Sequence, residues 1–139
     1  MLAWSQTMPP AVGFNWVFGW GMILCAFVTG AGLGMFFHRE QFLGGYDSFR
    51  RRIVRLGHIS LAAIGMLNVL YGLMPQTGGP MPLHRMAAGG LILGGITMPT
   101  VCFLTGWKPG FRHLFFIPVA CLVVGVGSIL CGSFNGALP

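Results

Sequence analysis

Four histidines, His38, His58, His84 and His113, are the side chains of this sequence best suited to chemistry. A neutral imidazole can ligate haem iron or a transition metal, and it can hydrogen-bond a quinone head group. Carboxylates have little scope, because the chain holds only two, Glu40 and Asp47. Acid–base hydrolysis by paired carboxylates therefore lacks its constellation. A Ser-His-Asp order, a phosphate-cradling glycine loop and a Cys-x-x-Cys pair are also missing. No catalytic residue and no metal-ligand set is assigned, and the balance leans away from an enzyme.

Spacing separates the histidines. His58, Ala62 and Gly65 are four and three residues apart, which at about 100° per residue gathers them on one narrow helical face. That face points His58 into a helix bundle. His38 extends the series Ala26, Gly30, Gly34 by four residues, and His113 opens a later helix at similar depth. These three rings are expected to converge, so that His58 with His38 or His113 forms a site for haem b or a quinone. His84 falls at the opposite surface. A plainer reading places His38 and His113 at helix ends and bonds His58 to a neighbouring helix or a water. Asn68 reads as glue between helices. Cys25, Cys102, Cys121 and Cys131 all lie in apolar stretches, where thiols act as small packing groups.

The elements that position these residues follow from composition. Only 7% of the 139 residues are charged, against roughly 25% in ordinary soluble domains. A soluble surface cannot be covered with so few charges, which excludes a nucleic-acid-binding domain, a secreted miniprotein and a disordered tail. Apolar stretches at about 14–37, 54–74, 86–107 and 114–134 each approach the roughly 20 residues that a helix needs to cross a bilayer. Helices satisfy their own backbone in lipid, and the stretches are too long and too uniform for barrel strands. The fold class is all-α: an integral membrane four-helix bundle, with residues 1–139 as a single transmembrane domain. Asp47 is expected to cap the second helix, and Pro99 and Pro118 to kink the third and fourth.

Seven of the eight cationic side chains lie at one end of these helices: Arg39, Arg50, Arg51, Arg52 and Arg55 around the first connection, Lys108 and Arg112 in the third. Arg85 alone lies at the other end. The positive-inside rule makes the basic end cytoplasmic and places both termini on the non-cytoplasmic side, in a prokaryotic inner membrane. Trp4, Trp16 and Tyr71 fit an outer aromatic belt, and Trp107, Phe111 and Phe115 an inner one. Arg50, Arg51 and Arg52 are expected to meet lipid head groups.

The 23 glycines supply the packing. In lipid, helices associate through small residues that let backbones approach. Stripes at helical spacing occur in every span: Gly30 and Gly34 with Ala26, Gly65 and Gly72 with Ala62, Gly90 and Gly94 with Ala87, Gly125 and Gly132 with Cys121. They imply a compact bundle.

Three functions are compatible with this reading. The favoured one is a non-catalytic, structural subunit of a larger membrane complex, of redox or electron-transfer type, bound to membrane lipids and to other membrane-protein subunits. The second is an electron-transfer subunit that itself holds haem b or quinone through His58. The third is a small oligomeric channel or transporter, disfavoured because no span carries an ionisable acid or base at its middle.

Overall fold

The first helix starts and stops where its chemistry changes. α1 runs over Pro10–Phe37, from a proline whose fixed φ suits a helix start to the first charged residues of the chain, Arg39 and Glu40. A computed structural model describes residues 10–74 and 80–137, with side chains placed for 13–74 and 80–134. Trp4 and most of the connection between the second and third spans lie outside the described residues.

A short 3-10 turn, Phe42–Gly44, follows α1. Leu43, Gly44 and Gly45 there take positive φ, which the two glycines adopt without steric cost. This reversal sends the chain back as α2, Phe49–Leu73. The cap of α2 is Ser48, not Asp47: the Ser48 hydroxyl accepts from the Arg51 backbone N–H at 3.2 Å and donates to the Leu43 carbonyl at 2.7 Å. α2 therefore begins five residues before its apolar stretch. A helix needs no lipid to start, and Arg50 to Arg52 can extend their charged tips to water.

α3 spans Met81–Trp107, again five residues longer at its start than its apolar core, with a proline in its first turn. It continues through Pro99 as one helix. A 3-10 segment, Pro109–Phe115, then leads into α4, Phe116–Ala137. Pro118 thus falls in the first turn of α4, where an N–H would have no partner in the helix. It removes no hydrogen bond and gives no reason for a kink. All four helices are long and apolar enough to cross a membrane, so the molecule reads as an integral, multi-pass membrane protein.

The helices pack in chain order. α1 and α2 run antiparallel in register: Trp16 meets Gly72, Gly19 meets Val69, and Gly30 meets His58. Across α2 and α3, Gly57 meets Cys102 and Phe103, and Gly106 meets Val54. α3 also touches α1 through Gly95, which packs on Phe18 and Met22. Among the described residues α4 packs chiefly on α3. The four helices form a bundle in which α2 and α3 separate α1 from α4. The buried core cluster lies where α2, α3 and α4 meet: Tyr71, Ala87, Ala88 and Leu91, with Leu122 and Ile129 of α4 packed against them. Tyr71 is accordingly buried, its hydroxyl donating to the His84 carbonyl at 2.9 Å, and does not join an interfacial belt.

Candidate functional site

Two polar contacts, Asn15 with Asn68 and Thr29 with His58, lie on the seam between α1 and α2. The reason is the register: with glycine at several contact positions the two backbones come close, and any polar side chain on the facing stripes must find its partner across the seam.

At the end away from the cations lies an amide pair. Asn15 and Asn68 are both fully buried. Asn15 Nδ2 donates to Asn68 Oδ1 at 2.7 Å and to the Ala88 carbonyl at 3.2 Å. Asn68 Nδ2 in turn donates to the Ile64 carbonyl at 3.0 Å and to the Leu91 carbonyl at 3.2 Å. Two side chains thereby tie α1, α2 and α3 together at one level. Asn15 Oδ1 has no hydrogen-bond partner. Asn68 is legible in the sequence as glue; Asn15 is not singled out there, though a lone amide in an apolar span is the signal that marks it.

Near the middle of α1, Thr29 and Gly30 face His58. Thr29 Oγ1 lies 3.1 Å from His58 Nδ1, and a Cβ built on Gly30 would stand 2.8 Å from His58 Cε1. Gly30 is therefore a cradle for the ring. Thr29 Oγ1 also lies 2.8 Å from the Cys25 carbonyl of its own helix. A hydroxyl has one proton, and the carbonyl can only accept it. In the tautomer whose Nδ1–H donates to Thr29, the lone pair of the ring lies on Nε2.

The other two histidines lie elsewhere. His38 is exposed just past the end of α1, eight residues beyond Gly30 and so about 12 Å further along the helix axis. His113 is exposed on the 3-10 segment, which packs on α3 and α4. The expected convergence of three rings does not occur, because the register sets Gly30, not His38, opposite His58. Among the described residues no group of three or more His, Cys, Asp or Glu could hold a metal ion. All four cysteines are free thiols.

The chain matches no protein-family model, and no curated protein or solved structure matches it either.

At the basic end of the seam Arg51 is only 3% exposed. Its Nη2 donates to the Phe37 carbonyl, the last of α1, and so satisfies one of the free carbonyls at that helix end. Arg50 does the same for α3, with Nε donating to the Gly106 carbonyl at 2.8 Å and Nη2 to the Trp107 carbonyl at 3.3 Å. Of the three arginines expected at lipid, two are thus engaged with helix C-termini, where a cation also meets the negative end of the helix dipole. Arg52 is exposed.

The glycines divide in the same way. Gly65 packs on Gly19 and Met22, Gly90 on Gly125, and Gly94 on Leu122. A Cβ on Gly34 or on Gly132 would meet nothing within 4 Å; Gly34 is exposed and Gly132 buried. Gly72 packs on Trp16 as its stripe implies, and Gly19, Gly57, Gly95 and Gly106 make close contacts outside the stripes read from the sequence.

Proposed function

We propose that this chain is a non-catalytic subunit that docks, through its edge helix α1, into a larger membrane assembly. What supports the reading is the outward face of α1. Gly21, Cys25 and Gly32 fall on one stripe there, and a Cβ on either glycine would meet nothing within 4 Å. Cys25 is exposed and Val28 on the same face is 66% exposed. Small residues contribute little contact with lipid, but they let a neighbouring helix approach closely. The partner is then an apolar membrane helix of another subunit. On this reading the basic end faces the cytoplasm and the membrane is a prokaryotic inner membrane.

A second reading has one specific observation in its favour. Thr29 Oγ1 lies 3.1 Å from His58 Nδ1; in the tautomer that donates to Thr29, Nε2 carries the lone pair, the arrangement in which a ligating histidine donates its other nitrogen to a fixed partner. Haem b iron or a quinol hydroxyl would suit that lone pair, and this alone carries the redox character of the assembly.

One preparation tests both. The chain is purified in mild detergent with mass spectrometry of co-migrating proteins and an absorbance spectrum. The subunit reading expects a stoichiometric membrane partner that is lost in Gly21→Leu/Gly32→Leu, while the thermal unfolding of the chain itself is unchanged. A lone, colourless species with no extractable quinone overturns both readings. A Soret band that vanishes in His58→Ala and weakens in Thr29→Val selects the second.

A further inference from the structure

The register of α1 and α2 brings Phe37, the last residue of one helix, against Arg51 in the first turn of the next. The Arg51 guanidinium lies 4.5 Å from the centre of the Phe37 ring and 5.1 Å from that of Tyr46. Arg55, one turn on, covers the same two rings at 5.5 and 5.9 Å. Two aromatic faces and one carbonyl offset only part of the cost of burying a cation. Arg51 Nε has no hydrogen-bond partner, and no carboxylate pairs with Arg51 among the described residues.

Beside this buried cation opens a pocket of about 460 Å³, lined by Phe37, His38, Glu40, Tyr46 and Arg51. Glu40 is exposed and is likewise unpaired. The pocket therefore presents a cation and an anion that do not neutralise one another. A simple anion would be attracted by Arg51 and repelled by Glu40, and a simple cation the reverse. A zwitterion satisfies both. The depth of the site narrows its source: Phe37 closes the first span, which puts the pocket at head-group level, and the neighbouring Met35, Phe36 and Leu56 expose apolar surface suited to acyl chains.

We infer that this pocket is a binding site for one phospholipid with a phosphoethanolamine head group. The phosphate lies on Arg51, with Arg55 adding to the positive field, and the primary ammonium donates to Glu40. Phosphate and guanidinium make short, charge-assisted hydrogen bonds. An ammonium has three N–H donors for a carboxylate, whereas a trimethylated choline has none. The preference for the primary amine resides in Glu40, and the affinity for the phosphate in Arg51.

The test is lipid retention by native mass spectrometry on the full chain in detergent. The probes are phosphatidylethanolamine, phosphatidylcholine and phosphatidylglycerol of identical acyl chains, and soluble phosphoethanolamine. Wild-type protein is expected to hold the ethanolamine lipid about tenfold more tightly than the choline lipid, the effect of one charge-assisted hydrogen bond. Glu40→Gln removes that preference and favours phosphatidylglycerol, and Arg51→Gln loses all three lipids. Because Arg51 also caps α1, its replacement can impair folding; Glu40 is exposed, so Glu40→Gln carries the test by itself. Equal retention of all three lipids by the wild type overturns the proposal, as does an ethanolamine preference that survives Glu40→Gln. Soluble phosphoethanolamine binding as tightly as the lipid overturns the lipid assignment. If, without lipid, Glu40→Gln lowers Tm as much as Arg51→Gln, the two side chains pair with each other and no ligand is needed.

Discussion

Asn15 and Asn68 hold three helices at one level with side chains that carry no charge. Their worth is set by what their removal would leave behind. In Asn68→Ala the Asn15 amide keeps the Ala88 carbonyl but loses Asn68, and the bonds from Asn68 to the Ile64 and Leu91 carbonyls go too, a loss costing about 1–3 kcal/mol. Asn15→Ala exchanges the unsatisfied Asn15 Oδ1 for an unsatisfied Asn68 Oδ1, but it breaks two hydrogen bonds where Asn68→Ala breaks three, so it is expected to be the milder change, at about 1 kcal/mol, within the range for hydrogen bonds between membrane helices. Thermal or chemical unfolding in detergent checks the order, and the double variant should cost less than the two singles together. Equal and additive effects would show that the pair does not act as a unit. Asn68 was legible because an amide deep in an apolar span needs a partner on another helix. Asn15 sits near the start of a span with no polar neighbour on its own helix, so its partner could not be named before the register was known.

At the scale of elements, the α3–α4 contact rests on two glycines. A Cβ on Gly90 would approach the Cys121 carbonyl and the Gly125 backbone at 2.7 Å, and one on Gly125 would meet the Leu91 N at 3.0 Å. The obstructing atoms are backbone and cannot swing aside. Gly125→Val is therefore expected to push α4 away from α3 and to cost about 1–3 kcal/mol, the range for overpacking. Gly34→Ala, whose Cβ meets nothing, should be neutral or slightly stabilising, since alanine favours the helix. Protease accessibility of α4, or the distance between spin labels on α3 and α4, distinguishes the two. Helix starts were the least legible feature of the elements. Hydropathy marks where lipid begins, whereas caps such as Ser48 mark where the helix begins, and α2 and α3 each begin one to two turns outside their apolar cores.

For the whole molecule, the decisive quantity is the ordering of a few charges. Seven cations at one end and Arg85 at the other lead to the expectation that both termini lie across the membrane from the basic end. A reporter fused to the C-terminus should be active only in the non-cytoplasmic compartment. Neutralising Arg39, Arg50, Arg51, Arg52 and Arg55 while adding arginines beside Arg85 should reverse that result for a fraction of the molecules. A cytoplasmic C-terminus in the unaltered chain would remove the basis for this orientation. The architecture makes the edge helices the natural contact surfaces, because α4 has one chief long-helix neighbour and the outward face of α1 has none among the described residues.

Composition and length by themselves determined that this chain forms four membrane-crossing helices, because a segment in lipid has no other way to satisfy its backbone. Spacing by itself determined that His58 and Gly65 share a face, because the helical period is a property of the backbone. Which residue each face meets was decided only by tertiary structure. The relative slide of two helices depends on how every side chain along the seam fits its neighbour, and a shift of one turn would exchange Gly30 for Gly34 opposite His58. That slide set His58 on Gly30, buried Arg51 against Phe37 and kept His38 and His113 apart. It also left the glycine-lined face of α1 open.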